Sequence, residues 1–404
     1  MMQRRHLLRL LAAAPAAGLS ARLLAAPAAG HAKLLVVFLR GAYDCANLLV
    51  PVSSDFYYAA RPHIAIARPG EPDGALPVDG TWGLHPVLAS TVMPLFQSRQ
   101  ALFVPFAGTD DLTRSHFETQ DSIELGQAPD RRHDERSGFL NRLATVLGGG
   151  PDPQVSAMAF TDQLPIVLRG EAKAANMALG GVRRPGIDER QSRVIESMYR
   201  NTALAQPVAE GFQVREEVRR TMDGEMEAAS RNAMSARGFE LVARRMARLM
   251  RERFDIGFVD VGGWDTHVGQ GGASGYLAGR LDELGRGLAG FATEMGEAAW
   301  RDTVVVVISE FGRTFRENGN RGTDHGHGSV YWVLGGGLSA QAGGRVVGEQ
   351  VAVSQPNLFQ NRDYPVLNEY RALFAGLFKR MYGLSPAQVD RVFEGVTPRD
   401  LVLI

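Results

Sequence analysis

Acids and histidines follow the apolar runs of this chain at short spacing. Asp265 and His267 come after the run 256–261, and Glu310 comes shortly after the run 303–308. Carboxylate and imidazole together suit zinc as ligands, or manganese or calcium where oxygen atoms dominate. The pattern therefore predicts a divalent-metal site. The candidate ligands are Asp44, Asp265, His267, Glu310, Asp324, His325 and His327.

Some of these residues also have a simpler structural interpretation, which the sequence leaves open. Asp44 follows a predicted strand, where a carboxylate is often the N-cap of a helix. Glu310 fits an ion pair with Arg313, three residues further on. The pair Asp265 and His267 indicates metal ligation more strongly than Asp44 alone or Glu310 alone. Three histidines without a close acidic neighbour are expected to be structural or solvated: His63, His85 and His133.

A hydroxyl in the segment 110–118 is the candidate nucleophile. Ser115 precedes a predicted helix, where its hydroxyl would meet an anionic substrate beside free backbone N–H groups. Arg114 and Arg313 are the candidate cations for phosphate or sulfate oxygens. The same segment also fits a capping box of Ser115 with Glu118, in which the serine has a structural role only.

The elements that must position these residues are strands and helices in alternation. Six continuous apolar runs predict strands buried on both faces, as in a parallel sheet. They lie at 34–39, 101–106, 155–160, 256–261, 303–308 and 330–334. Apolar residues spaced three and four apart over 277–295 predict a helix between the fourth and fifth runs. The fold class is therefore α/β, a largely parallel sheet covered by helices on both faces, with ligands expected at the carboxyl ends of its strands.

The region 33–404 is interpreted as a single α/β domain. Segment 188–254 lacks strand signals and is rich in Arg, Glu, Met and Ala, which predicts a helical insertion packed on the sheet. The single cysteine, Cys45, excludes an internal disulfide framework. Basic and acidic residues number 44 each, so the composition indicates neither a nucleic-acid partner nor a polybasic membrane anchor.

Residues 1–28 predict a twin-arginine signal peptide. Arg4 and Arg5 precede a short apolar run, and residues 26–28 (Ala-Pro-Ala) form a small-x-small cleavage site. The run is too short and too interrupted to span a bilayer, which takes about 20 apolar residues. A mitochondrial transit peptide is the alternative, and residues 30–32 (Gly-His-Ala) are a second candidate cleavage site. The segment predicts export by the twin-arginine translocation machinery to the periplasm or the medium.

Five motifs spread over nearly the whole chain after the signal carry a family resemblance. They are Phe38-Leu39-Arg40-Gly41-Ala42-Tyr43-Asp44, Leu84-His85-Pro86, Arg114-Ser115-His116-Phe117, Gly263-Trp264-Asp265-Thr266-His267 and Ser309-Glu310-Phe311-Gly312-Arg313-Thr314. With them the chain resembles the domain-of-unknown-function-1501 family of exported bacterial proteins. That family is similar, more distantly, to the alkaline phosphatase and sulfatase superfamily.

The superfamily resemblance implies an alkaline-phosphatase-like fold, a hydroxyl nucleophile at a helix start, and Asp and His residues that hold one or two metals. The usual Asp-His pair after the late strand appears here as Glu310-Phe311. This replacement removes a nitrogen ligand and favours one metal over two. The residues that match the functional positions are Asp44 (first-strand acid), Ser115 (nucleophile), Asp265 and His267 (acid–histidine loop), and His325 or His327 (last histidine ligand).

The predicted function is an exported, metal-dependent hydrolase of small anionic esters, either phosphate or sulfate esters, without a stable membrane anchor. Two alternatives remain at this point. One is a non-catalytic binding or assembly protein on the same scaffold, with its site eroded at Phe311. The other is a structural metal that stabilises an exported fold poor in cysteine.

Overall fold

The computed structural model describes residues 32–128, 136–148, 155–179 and 238–404, with a few positions between 198 and 208. The predicted signal peptide lies outside the described residues, and so does most of the predicted insertion at 188–254. The clearest described part of the segment 188–254 is the helix Phe239–Glu252, whose buried apolar residues lie in a hydrophobic core that also contains residues of the sheet.

The predicted strands form the centre of the described chain. Strands in chain order are β1 (Lys33–Leu39), β2 (Leu49–Val50), β3 (Leu76–Pro77), β4 (Gly83–Leu84), β5 (Ala101–Gly108), β6 (Ala157–Ala159), β7 (Ala174–Asn176), β8 (Ile256–Val261), β9 (Thr303–Ser309), β10 (Ser329–Leu334) and β11 (Asn368–Glu369). Eight of them form one sheet in the order β11-β5-β10-β9-β1-β8-β6-β7. Only β10 in this sheet runs antiparallel to its described neighbours, β5 and β9. All six apolar runs are thus confirmed as strands.

The central strand β1 shows why these runs are apolar throughout. Leu35, Val37 and Leu39 point into one hydrophobic core, whereas the alternate residues Leu34 and Val36 belong to the other. Because successive side chains of a strand face opposite sides, a strand covered on both faces needs apolar residues at every position. The predicted fold class, a largely parallel sheet with helices on both faces, is confirmed.

Helices cover the two faces of the sheet. Described helices are α1 (Cys45–Leu48), α2 (Asp55–Ala60), α3 (Val92–Gln97), α4 (His116–Leu125), α5 (Phe139–Leu147), α6 (Phe239–Glu252), α7 (Tyr276–Arg301), α8 (Tyr370–Tyr382) and α9 (Pro386–Val392). Helices α3, α6 and α7 bury their apolar residues in the first core, and α5, α8 and α9 bury theirs in the second. The helix predicted over 277–295 is α7. Within the described ranges, no helix combines the length and apolar composition needed to cross a membrane.

The strand directions bring several loops to one edge of the sheet. Strands β1, β5, β8 and β9 run parallel to one another, so they end at the same edge, and the antiparallel β10 begins there. The segments that meet at this edge are therefore 40–44, 109–115, 262–275 and 310–328. Most of the candidate residues lie on these segments.

Candidate metal centre

Three side chains from three different segments meet at the carboxyl edge of the sheet. His116 is the first residue of α4 after β5, Asp265 follows β8, and His325 precedes β10. His116 Nε2 lies 2.9 Å from His325 Nε2. Asp265 Oδ1 lies 3.4 Å from His325 Nε2, and Asp265 Oδ2 lies 3.7 Å from His116 Nε2. We call these three residues the metal-ligand trio.

Both histidines of the trio have their Nδ1 atoms committed as donors. His116 Nδ1 lies 2.7 Å from Glu310 Oε1, and His325 Nδ1 lies 3.0 Å from the backbone carbonyl oxygen of Arg114. Because a carboxylate and a carbonyl only accept hydrogen bonds, each Nδ1 carries the proton, and each neutral ring then has a lone pair on Nε2. With both Nδ1 atoms donating, the two facing Nε2 atoms, 2.9 Å apart, can hold one cation between them, either a metal ion or a proton shared by the rings.

The donor set and its spacing fit a metal ion. Zinc bonds of about 2.0–2.2 Å place neighbouring ligand atoms of a tetrahedron about 3.3–3.6 Å apart. The two Nε2 atoms of the trio are 2.9 Å apart, Asp265 Oδ1 lies 3.4 Å from His325 Nε2, and Asp265 Oδ2 lies 3.7 Å from His116 Nε2, so the three groups are about as close as ligands of one ion. In addition, metal-binding histidines ordinarily donate their second ring nitrogen to a carboxylate or a carbonyl, as both histidines do here.

His267 lies beside the trio. Its Nε2 is 3.2 Å from His325 Nε2 and 2.9 Å from Asp265 Oδ1. Its Nδ1 lies 3.1 Å from Asp324 Oδ1, which also accepts a hydrogen bond from Asn318 Nδ2 at 3.0 Å. Burial raises the pKa of the Asp324 carboxyl, but the hydrogen bonds from Asn318 and His267 outweigh burial and hold this pKa below its usual value. Asp324 therefore orients His267, which is a fourth group available to the centre.

Glu310 is buried behind His116. Its Oε1 accepts hydrogen bonds from His116 Nδ1, from the backbone N–H of Gly41 at 2.8 Å and from Gln120 Nε2 at 2.8 Å. Burial raises the pKa of Glu310, yet these hydrogen bonds outweigh burial and lower the pKa below its usual value. The hydrogen bond to Glu310 in turn raises the pKa of His116 against the effect of burial. Glu310 thus fixes the orientation of His116, and the ion pair of Glu310 with Arg313 that the sequence left open is not formed.

Arg313 stands behind Asp265 instead. Its buried Nη1 lies 2.6 Å from Asp265 Oδ1, its Nε donates to Thr323 Oγ1 at 3.2 Å, and its Nη2 donates to the Thr323 carbonyl oxygen. Burial raises the pKa of Asp265, but the hydrogen bond and charge of Arg313 outweigh burial, so the carboxyl pKa lies below its usual value. All three guanidinium nitrogens are bonded to protein groups, which places Arg313 as support for Asp265.

The backbone of this region explains how His325 reaches the trio. Arg313 and His325 pair through an isolated antiparallel bridge. A Cβ on Gly326 would lie 2.4 Å from the Arg313 carbonyl carbon, so only glycine permits this approach. The backbone at Arg313 is therefore held against the backbone at His325. Arg313 supports Asp265, and His325 belongs to the trio.

Arg114 adopts an uncommon conformation next to the trio. Its φ of +53° lies in the left-handed region, which arginine seldom occupies. Its guanidinium Nη2 lies 2.7 Å from Asp363 Oδ2 and donates to Gln360 Oε1 at 2.8 Å. This turn directs the Arg114 carbonyl oxygen to His325 Nδ1. The guanidinium of Arg114 is thus anchored to Asp363, and its backbone carbonyl accepts the hydrogen bond that orients His325.

Ser115 occupies the N-cap position of α4, directly before His116. Its hydroxyl makes no capping hydrogen bond, so the capping box with Glu118 is not formed. The residue is partly exposed, and its hydroxyl has no hydrogen-bond partner among the described residues. A free hydroxyl beside a metal-ligand histidine is compatible with the nucleophile predicted from the sequence.

Asp44 and His327 lie apart from the trio. The buried Asp44 carboxylate pairs with the Arg61 guanidinium at 2.5 and 3.0 Å and accepts a hydrogen bond from Gln270 Nε2 at 2.6 Å. Asp44 precedes α1 without capping it through its side chain. The ring of His327 packs on Phe359 with ring centres 4.8 Å apart, and burial lowers its pKa to about 4. Neither residue belongs to the metal-ligand trio.

His116 is the ligand that the sequence analysis missed. The prediction rests on histidines within two residues of an aspartate, and His116 has no aspartate there, whereas its acidic partner, Glu310, lies 194 residues away. The sequence signal that identifies His116 is its position at the start of the predicted helix after β5. The sequence prediction applies this signal to Ser115 alone. The Phe311 ring stacks on the His116 ring with centres 5.0 Å apart.

The largely parallel eight-stranded sheet and the histidine–carboxylate centre at its edge define the described part of the chain as an α/β protein. The chain belongs to the family described as protein of unknown function DUF1501, with residues 31–393 matched. No curated protein matches the chain.

Three solved structures are similar to this chain at low sequence identity. Ps i-CgsB in complex with k-i-k-neocarrahexaose has a TM-score of 0.43 and 8% identity, covering 91% of this chain and 75% of the other. The lipoteichoic acid synthase LtaP from Listeria monocytogenes has a TM-score of 0.39 and 9% identity, covering 93% and 76%. The phosphonate monoester hydrolase of Agrobacterium radiobacter has a TM-score of 0.35 and 12% identity, covering 90% and 78%.

Proposed function

We propose that this protein is a metal-dependent hydrolase of phosphate or sulfate esters, with His116, Asp265 and His325 as metal ligands. The observation that carries the proposal is the pair of opposed Nε2 lone pairs, 2.9 Å apart beside a carboxylate. Two imidazoles with one carboxylate favour zinc over the harder ions manganese and calcium. A bound ion supplies a Lewis acid that polarises the ester and neutralises developing charge.

Ser115 is the proposed nucleophile. Its hydroxyl is not used as a helix cap, which leaves the first-turn N–H groups of α4 without a side-chain acceptor. Such N–H groups at the start of a ten-residue helix attract an anionic group. An ester oxygen bound there would lie beside both the Ser115 hydroxyl and the His116 ring. Glu310 and Arg313 keep His116 and Asp265 in place for this task.

Phe311 supports the hydrolase over the non-catalytic alternative. Its ring packs against His116 and lies 5.3 Å from the His325 ring, measured between ring centres. Phe311 therefore forms the apolar backing of two ligand rings, and the nitrogen count of the centre is restored by His116.

We further propose that the chain is exported in the folded state through its twin-arginine signal and acts in the periplasm or the medium. Residues 1–28 carry this proposal through Arg4 and Arg5. Replacing both with lysine is expected to retain the protein in the cytoplasm. Fractionation of cells that produce the parent and the double variant tests this, and equal periplasmic amounts would contradict it.

The hydrolase proposal is tested with protein purified from the periplasm. We expect about one zinc equivalent per chain and turnover of aryl phosphates or sulfates, and both are lost in His325→Ala. The matched control is His63→Ala, because His63 is exposed and its partner in the described part of the chain is Glu317, so both properties persist there. Metal with no turnover of any ester would favour the binding protein. Chelation that lowers only the melting temperature would indicate a structural metal.

A further inference from the structure

A cleft of about 370 Å³ opens next to the centre. Asp265 and His267 form part of its wall, so the cleft is continuous with the metal-ligand trio. A cavity of about 150 Å³ accommodates benzene, so this cleft has room for a ring and its linking atoms. The other lining residues are Arg40, Gly263, Trp264, Thr266, Val268 and Tyr276.

Two walls of the cleft are large apolar side chains left open to solvent. Val268 is 70% exposed and Tyr276 is 51% exposed. Among the described residues, six large apolar side chains are at least 51% exposed, and Val268 and Tyr276 are the two of them that line this cleft. Exposed apolar surface that gathers around a polar site is typical of a ligand-binding surface.

Tyr276 is held in place over the segment that carries Asp265. It is the first residue of α7, and a Cβ on Gly263 would lie 3.1 Å from its hydroxyl oxygen. Gly263 has a φ of +90°, a conformation that favours glycine, and the absence of a side chain there leaves room for the Tyr276 hydroxyl. The Arg280 guanidinium lies 5.5 Å from the centre of the Tyr276 ring, which restrains the ring further.

The charges around the cleft do not favour a second anionic group. Arg40 lines the cleft, but its guanidinium already pairs with Asp260 and Glu124, each at 2.7 Å. Arg280, against the Tyr276 ring, pairs with Glu283 at 2.8 Å. Because these cations are balanced by carboxylates, the cleft favours an uncharged, flat apolar group beside the anion-binding centre.

We infer that the cleft binds the alcohol part of the ester as an aryl group, packed against Val268 and Tyr276. This inference rests on the proposed function, since the acid part of the ester must lie at the trio for the aryl group to reach the cleft. The two side chains then determine specificity, selecting aryl esters over small alkyl esters. The class of substrate is an aryl phosphate or aryl sulfate.

The test uses two inert anions of the same charge, phenylphosphonate and methylphosphonate, and the zinc-loaded protein in a titration calorimeter. We expect phenylphosphonate to bind about tenfold more tightly, as burial of a ring against apolar walls requires. Val268→Ser and Tyr276→Ser reduce this preference. The control Leu112→Ser leaves it unchanged, because Leu112 is 51% exposed like Tyr276 but does not line the cleft.

Each outcome separates the two proposals. Equal binding of both phosphonates overturns the aryl cleft while the anion-binding centre stands. A preference that Leu112→Ser reduces as much as Tyr276→Ser also overturns the placement of the ring. Binding of neither phosphonate by zinc-loaded protein contradicts the proposed function, and the aryl cleft falls with it. Circular dichroism melts of each variant confirm that the compared proteins are folded.

Discussion

Arg313 Nη1 lies 2.6 Å from Asp265 Oδ1, on the side of the carboxylate away from bulk solvent, in a guanidinium that is fully buried. Asp265 itself is 44% exposed at its side chain and faces the two histidines of the trio. A flexible, exposed carboxylate is a poor metal ligand until something fixes it. Arg313 supplies this restraint, and Thr323 restrains Arg313 in turn.

Replacing Arg313 with lysine is expected to lower zinc affinity by about 10- to 100-fold, the usual cost of losing a group that orients a ligand. A lysine cannot bond Asp265 and Thr323 together, so the carboxylate loses its fixed position. Competition with a chromophoric chelator measures the affinity. The control Arg301→Lys lies at the exposed end of α7 and is expected to bind zinc like the parent. Unchanged affinity in Arg313→Lys would refute the positioning role.

Replacing Asp44 with asparagine is expected to destabilise the fold by about 3–5 kcal/mol, because it leaves the buried Arg61 charge without a partner. The zinc content of the folded protein stays at the parent value, since Asp44 lies outside the trio. Urea denaturation and metal analysis are the two measurements. The double variant Asp44→Leu with Arg61→Met recovers most of the lost stability. Loss of zinc from folded Asp44→Asn would restore Asp44 as a ligand.

Replacing Ser115 with alanine is expected to abolish ester turnover and to leave zinc content unchanged. It is also expected to change the free energy of unfolding by less than about 0.5 kcal/mol, because the hydroxyl makes no cap, whereas removal of a working cap costs about 1 kcal/mol. Steady-state kinetics and thermal melts test the two parts. Turnover at the parent rate would remove Ser115 from the mechanism.

His85 is expected to weaken the fold in mild acid. It is buried, its Nδ1 accepts from the backbone N–H of Val87 and its Nε2 donates to the carbonyl oxygen of Gly272, and burial lowers its pKa to about 4. The folded pKa lies below the unfolded value of about 6.5, so the stabilising contribution is complete above about pH 6.5 and is lost as the pH falls towards 4.

The measurement is urea denaturation of the parent and of His85→Asn at pH 7 and pH 5. The parent is expected to lose about 2 kcal/mol more than the variant between these pH values, because asparagine does not titrate. Asparagine also offers an acceptor for the Val87 N–H. Equal losses in both proteins would show that His85 does not contribute to the pH dependence.

Much of the fold could be predicted because burial on both faces leaves a simple pattern. Strand β1 is apolar at every position from 34 to 39, and α7 repeats its apolar residues every three or four positions. These patterns are local, so a single sequence reveals them. The edge at which the ligands gather also followed from the parallel order of the strands.

The pairing of side chains at that edge could not be predicted in the same way. Asp44 was assigned to the metal because it follows β1, yet Arg61 reaches it from an irregular segment that has no strong pattern. His116 has no aspartate within two residues, and its acidic partner, Glu310, is distant in sequence, so neither feature marks it as a ligand. Asp265 and His325 were identified because each lies near another candidate in sequence. Contacts between distant segments depend on the packed loops, which periodicity does not describe.

The most direct test of the metal-ligand trio is anomalous diffraction from crystals of zinc-loaded protein, recorded on both sides of the zinc absorption edge. We expect one strong anomalous peak bonded to His116 Nε2, His325 Nε2 and the Asp265 carboxylate. Zinc-loaded crystals of His325→Ala, measured in the same way, are expected to lack that peak. A peak bonded to Asp44 or His327 instead, or no peak at the trio in fully loaded crystals, would contradict the account.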